Sequence, residues 1–256
     1  MTARASKSAG GVQSVERAFE LLEIIARNGG DAALSELAAS TQLPMPTIHR
    51  LLRTLVALGY ARQLPNRRYC LGPRLIPLGE AANHQLGALS GPVLRQLAET
   101  LGESANVAVL DGTMATYVAQ MQSAHSMRMI TEIGRRAMLH QSGVGKAILS
   151  VLDDDRVRQL ASQAGLPAST AKTITTLDRL LADVRATRER GYAIDEEEQE
   201  LGVRCIAVSV PGAPTPMALS VSGPVTRVDQ DFIARAVPQL HAAAEQLGSQ
   251  LISAAE

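Results

Sequence analysis

Apolar positions at Val15, Phe19, Leu22 and Ile25 recur at three- and four-residue spacing, which predicts an amphipathic helix. Ser14 stands where its N-cap belongs, Glu16 faces the positive end of its dipole, and Asn28-Gly29-Gly30 ends it. A short second helix is expected over 35–39, opened by Ser35. A third begins at Pro46, where a missing N–H costs nothing, and stops at Gly59. In the third helix Ile48, Leu51, Leu52, Leu55 and Leu58 make the buried stripe, leaving Thr47, His49, Arg50, Arg53 and Thr54 on other faces. Two strands, 60–64 and 69–71, then flank Pro65-Asn66-Arg67-Arg68, the tip of a β-ribbon. Helix-turn-helix followed by ribbon predicts a winged helix-turn-helix. Leu75, Leu78, Ala82, Leu86 and Leu89 predict a connecting helix over 74–89, and Gly91-Pro92 opens a second unit.

From residue 93 strands alternate with helices. After a helix ending at Gly102, strands are expected over 106–110 and 113–121 around the hairpin turn Asp111-Gly112, then over 126–131, 192–195, 204–210 and 217–222. Helices are expected near 145–152, 155–164, 177–190 and 229–250. The fold class is therefore mixed α/β of the α+β kind, with a mostly antiparallel sheet. Period-two alternation gives each late strand one face of large apolar residues and one of small or hydroxylated ones: Cys205, Ala207 and Ser209 on the first, Ala218, Ser220 and Ser222 on the second. Small groups leave room and hydroxyls orient a ligand, although close packing against a helix explains such a face equally well.

Composition narrows the function. The chain has 256 residues, 46% apolar and 20% charged, an ordinary soluble composition of a size that suits two domains. Six aromatic residues and no Trp argue against a sheet that stacks unpaired bases. Cys70 and Cys205 have neither zinc nor disulfide-framework spacing, so no metal or cofactor is expected. No apolar leader or membrane-length run stands out, and a reducing, cytoplasmic location is expected. The net charge of zero is uneven: residues 1–80 carry ten Lys or Arg against six Asp or Glu, and positions 37–79 hold six arginines and no acid. That window fits a polyanion, with the third helix in a major groove and the wing on the adjacent backbone. The expected DNA contacts are Thr47, His49, Arg50, Arg53, Arg62, Arg67 and Arg68; the alternatives are a solvated face or a protein-interaction module.

His140-Gln141-Ser142-Gly143-Val144-Gly145-Lys146 runs into a helix whose first N–H groups, over 143–145, are expected to hold a carboxylate. It is not a phosphate-binding P-loop, because His140 stands where that motif needs glycine and Ala147 where it needs Ser or Thr. Asp195-Glu196-Glu197-Glu198 reads as a solvated turn rather than a metal site. The enzyme alternative is a small-acid hydrolase with Cys205 as nucleophile and His140 as base, which requires an activated thiolate.

The runs SVERAFELLEIIA, LSELAASTQLPMPTIHRLLRTLVALGYARQ and YCLGPRLIPLG resemble the DNA-binding domain of the IclR family of bacterial transcription regulators. LGESANVAVLDG, SMRMITEIGRRAMLHQSGVGKAIL, ERGYAIDEEEQELGVRCIAVSV and ALSVSGPVTR continue the resemblance through the second half. Met45-Pro46 departs from the Lys-Ser or Arg-Ser pair that often opens the family's recognition helix. The resemblance implies an N-terminal arm over 1–12, a winged helix-turn-helix over 13–73, a linker helix over 74–90 and a GAF-like effector-binding domain over 91–256. It also implies a homodimer or homotetramer on a pseudo-palindromic operator. The implied effector pocket is Met129, Ala137, Gly143, Val144, Asp195, Val203, Cys205, Ser220 and Ser222. The Met-Arg-Met segment and the Cys and Ser-x-Ser set are most similar to the branch sensing small oxo-acids of glyoxylate and allantoin metabolism; an aromatic acid is the alternative effector.

Overall fold

A computed structural model describes residues 11–86 and 89–253. The expected arm lies outside the described residues except for its last two positions, as do positions 87–88 of the expected connector. The chain divides into two compact units, one ending at Ala81 and the other beginning at Ala82.

The first unit contains α1 (Gln13–Arg27), β1 (Asp31–Ala32), α2 (Leu34–Thr41), α3 (Met45–Ala57), β2 (Ala61–Gln63) and β3 (Tyr69–Leu71). Leu21, Ile25, Leu37, Ile48, Leu52 and Tyr69 form its core. The strands make an antiparallel sheet in the order β1-β3-β2. Helix starts differ from expectation. Val12 rather than Ser14 is the N-cap of α1, Ala33 rather than Ser35 that of α2, and neither supplies a side-chain cap. At α2 the Glu36 carboxylate instead accepts the Ala33 N–H at 3.0 Å. The predicted apolar stripes also overreach, because Val15, Phe19 and Leu58 are exposed. α4 (Leu75–Leu86) follows the wing.

The second unit contains α5 (Ser90–Leu101), β4 (Ser104–Asp111), β5 (Met114–Met121), β6 (Arg136–Met138), α6 (Gly143–Ser150), α7 (Asp154–Ala164), α8 (Leu177–Arg190), β7 (Ala193–Glu196), β8 (Val203–Ser209), β9 (Met217–Pro224) and α9 (Gln230–Ser253). Its six strands form one antiparallel sheet, ordered β6-β5-β4-β9-β8-β7. Large side chains of one face, among them Val107, Ile206, Val208, Leu219 and Val221, pack with α5 and α9. On the other face Ala108, Ala207 and Ala218 are small enough for α6 to lie close, with α7 and α8 outside it.

The strand expected over 126–131 is absent, and the reason is visible in its backbone bonds. Arg227 Nη2 donates to the Met127 carbonyl at 3.0 Å and Ser104 Oγ to that of Met129 at 2.7 Å. The Gln120 carboxamide spans both backbone groups of Thr131, its oxygen 2.7 Å from the N–H and its nitrogen 2.9 Å from the carbonyl. Side chains thus satisfy the alternate groups that a sheet ladder would have used, and β6 pairs with β5 instead. Among the described residues no helix is long and apolar enough to cross a membrane.

Candidate functional site

α3 presents His49, Arg50 and Arg53 to solvent while Ile48, Leu52 and Leu55 anchor its other side; Thr47 is half-buried. Arg62 on β2 and Arg67 at the ribbon tip are also exposed. None of these four arginines makes an ion pair among the described residues. Arg67 sits at φ +64°, a left-handed position fixed by its N–H bonding the Leu64 carbonyl at 2.9 Å and by Asn66 Oδ1 accepting the Arg68 N–H at 3.1 Å. Arg68, expected with the DNA contacts, is not free. Its Nε donates to Asp31 Oδ1 at 2.7 Å, and its two terminal nitrogens to the Glu36 carboxylate at 3.0 and 3.1 Å. That bond holds the Glu36 carboxyl below its ordinary range. The correction is physical: two carboxylates of its own unit occupy the Arg68 guanidinium, so it ties the wing to β1 and α2. Arg74 is likewise engaged, bonding the Leu58 carbonyl at 3.1 Å and lying over the Tyr60 ring.

In the second unit, strand register brings polar side chains of four strands together on the face under α6. Asp195 pairs with Cys205, Cys205 with Ser222, and Ser222 with Ser104 across β7, β8, β9 and β4. One step along, Asn106 opposes Ser220. Ser220 is 0% exposed, and its hydroxyl has no oxygen or nitrogen partner and lies beside the Cys205 thiol. Asn106, 1% exposed, reaches diagonally to Ser222 Oγ at 3.4 Å and stands 3.0 Å from the Gln120 amide. α6 enters directly above: a Cβ on Gly143 would fall 2.8 Å from Cys205 Sγ, so only glycine admits this approach. Ser142 caps α6, its hydroxyl accepting the Gly145 N–H at 3.1 Å and its carbonyl the Lys146 N–H. The expected amide cradle is therefore shorter than 143–145. Gly145 is committed to the cap and the Gly143 N–H faces the Cys205 sulfur, which leaves Val144.

The acidic run is not a solvated turn. Asp195 is 3% exposed and Glu198 is buried, because Asp195 Oδ1 accepts the Glu198 and Gln199 N–H groups at 2.8 and 3.3 Å and folds the run inward. Burial pushes the Asp195 carboxyl up to about 7, against those bonds. Glu198 Oε1 meets Lys146 Nζ at 2.5 Å, and Asp183 Oδ2 lies 3.3 Å from the same ammonium. Burial raises Glu198 despite the Lys146 charge, while Thr170 and Thr173 hydroxyls hold the carbonyls of Glu197 and Glu198. Burial, then the Asp195 charge, pushes the Cys205 thiol up to about 12. That leaves no thiolate at neutral pH and removes the basis of the hydrolase alternative. His140 is buried against the Pro167 carbonyl at 3.0 Å, its pKa lowered chiefly by desolvation.

Of the nine expected pocket residues, Asp195, Cys205, Ser220, Ser222 and Gly143 converge. Val144 is buried in the packing of α6, and Ala137 on edge strand β6 joins the same apolar cluster. Val203 opens β8 half-buried, and Met129 enters through its carbonyl bond to Ser104. Asn106, Gln120 and Tyr117, whose phenol burial pushes above its ordinary range, were not anticipated. A signal existed for Asn106: Ser104 and Asn106 are polar at alternate positions of an otherwise apolar strand. None existed for Gln120, whose partners lie on other segments.

Comparison with known proteins gives matches over both units. A family model described as the IclR helix-turn-helix domain matches residues 14–65, and one described as bacterial transcriptional regulator IclR C-terminal matches 80–249. The chain is 39% identical over 235 residues to the transcriptional repressor IclR of Escherichia coli K12, covering 88% of this chain and 84% of that protein. It is 33% identical over 226 residues to the repressor AllR of the same organism, covering 86% and 83%. An IclR transcriptional regulator from Alicyclobacillus acidocaldarius superposes with a TM-score of 0.80 at 26% identity, over 93% of this chain and 98% of that one. An IclR homologue from Microbacterium hydrocarbonoxydans, solved with 4-hydroxybenzoate, shares the fold with a TM-score of 0.81 at 20% identity, over 94% and 99%.

Proposed function

Because the chain belongs to the IclR family of bacterial transcriptional regulators, we propose that it is a cytoplasmic repressor. On this reading, a small carboxylate bound under α6 alters its grip on a pseudo-palindromic operator. The names of the repressors it resembles support the sign of regulation. The observation that carries the effector reading is the buried Ser220 hydroxyl, which has no oxygen or nitrogen partner, on the sheet face that also carries Asp195 and where glycine lets a helix N-terminus approach. An unsatisfied buried hydroxyl costs about 1–3 kcal/mol, which a ligand oxygen would recover.

In this reading the carboxylate accepts from the Val144 N–H and displaces the Cys205 sulfur from that of Gly143, its remaining oxygens meet Ser220 and Ser222, and Asp195 in its protonated form donates to it. The likeness to IclR and AllR favours an oxo-acid or an allantoin-pathway metabolite. Thr47, His49, Arg50, Arg53, Arg62 and Arg67 make the DNA contacts. Two copies align two winged units on the operator half-sites, and effector occupancy changes their spacing with a coupling of about 1–3 kcal/mol.

The test is a thermal-shift and calorimetric screen of glyoxylate, pyruvate, allantoate and hydroxybenzoates on the full chain. An acid that binds wild type and loses affinity in Ser220→Ala, with effector-free operator binding intact, supports the site; equal affinity in the variant removes Ser220 from it. Because protonated Asp195 is the form that favours an anion, affinity falls as pH rises through about 7. Titrations at pH 6 and pH 8 with equal affinity contradict that role.

A further inference from the structure

A cation is sealed behind the acidic turn. Lys146, 1% exposed, stands on α6 one turn on from the Ser142 cap, and its ammonium meets Glu198 Oε1 at 2.5 Å and Asp183 Oδ2 at 3.3 Å. Asp183 is shared, because Arg190 approaches its other oxygen at 3.9 Å. Glu198 is therefore the principal counter-charge, and it is gripped from two sides: its backbone N–H donates to Asp195 Oδ1 at 2.8 Å while its carboxylate holds Lys146. Its second oxygen, Oε2, is buried with no hydrogen-bond partner. Hydrogen bonding alone does not account for a carboxylate here; the buried ammonium does.

Among the described residues, Tyr117 of β5 and Cys205 of β8 also lie near Asp195, and neither is charged at neutral pH: burial pushes the phenol above its ordinary range and the thiol up to about 12. His140, beside Lys146, is neutral because desolvation lowers its pKa. Lys146 and Glu198 are thus the charges that act on Asp195, with opposite signs. An uncompensated cation beside a carboxyl favours its ionised form, typically by about 1–3 pH units.

We propose that Glu198 is a positioning residue of the effector site: by neutralising Lys146 and anchoring Asp195 through its own N–H, it lets Asp195 meet an anion as an uncharged donor. The inference rests on the carboxylate reading above and adds to it the group that keeps Asp195 protonated. Without Glu198, Lys146 holds Asp195 ionised, and an ionised Asp195 repels the carboxylate it should receive.

NMR of the carboxyl carbons in the effector-free full chain reads the Asp195 titration directly, its signal being the one missing from Asp195→Asn. The wild-type midpoint is expected at about 7. Glu198→Gln keeps an acceptor for Lys146 and removes its counter-charge, and the midpoint is expected to fall by about one pH unit or more. Lys146→Met combined with Glu198→Gln removes both charges and should return the midpoint to the wild-type value. An unmoved midpoint in Glu198→Gln, or a double variant further from wild type than the single one, overturns the assignment. Should Glu198→Gln fail to fold, Lys146→Met decides: with only a positive charge gone, the midpoint stays at or above the wild-type value, and a fall overturns the assignment. Calorimetry with glyoxylate, pyruvate, allantoate and hydroxybenzoates over the same pH range separates the two claims, because the pH at which affinity falls should follow the Asp195 midpoint in each variant. Midpoints that move as described while none of these acids binds, or while one binds without pH dependence, contradict the carboxylate reading and not the control of Asp195 by Glu198.

Discussion

Exposure and partners separate residues that look alike in sequence. Arg67 and Arg68 are neighbours on the ribbon tip, yet one reaches solvent and the other is held by Asp31 and Glu36. Arg50→Ala or Arg53→Ala is expected to weaken operator binding by about 1–3 kcal/mol where the side chain reads a base edge, with thermal stability unchanged. Asp195 makes the pH prediction. Its folded value of about 7 lies above the ordinary 3.8, so its contribution to stability is fully present below about pH 4 and is lost as pH rises through about 7. Asp195→Asn keeps an acceptor for the Glu198 and Gln199 N–H groups while abolishing the titration. Its melting temperature relative to wild type should therefore be higher at pH 8 than at pH 5. A difference that does not change between the two pH values would contradict the burial argument.

Elements were legible where local chemistry closes them. Helix α8 runs Leu177–Arg190 as the periodicity predicts, because Gly191 adopts the left-handed C-cap at φ +82°. The hairpin of β4 and β5 follows from Asp111-Gly112. The 126–131 strand was misread because alternation reports which side chains are apolar, not where backbone bonds go; here they go to Arg227, Ser104 and Gln120. The acidic run was misread for the complementary reason: Lys146, fifty-two positions away, is invisible to local pattern. Gly72 supplies the sharpest test at this scale. A Cβ there would lie 2.1 Å from the Gly59 carbonyl oxygen, where the wing returns to the end of α3. Gly72→Ala should cost at least about 1–3 kcal/mol in chemical denaturation. Ser142→Ala, which removes the cap of α6, should cost about 1 kcal/mol.

At the scale of the molecule, the sequence already places cationic residues in the first unit and a hydroxylated sheet face in the second, and the net charge of zero conceals this division. Long-range register was not legible: Asn106 lies 116 positions from Ser222, and only the pairing of β4 with β9 makes them neighbours. The central claim is that the free arginines of α3 and the wing hold duplex phosphate and base while Arg68 holds the wing itself. Fluorescence anisotropy with duplex from the region upstream of the gene, repeated across salt concentrations, tests it directly. The logarithm of affinity should fall linearly with the logarithm of salt, and each substitution of Arg62 or Arg67 by Ala should reduce the slope by about 1. Arg68→Ala, measured where it remains folded, should leave the slope unaltered. A slope insensitive to Arg62 and Arg67, or one that drops as much for Arg68, would contradict the account.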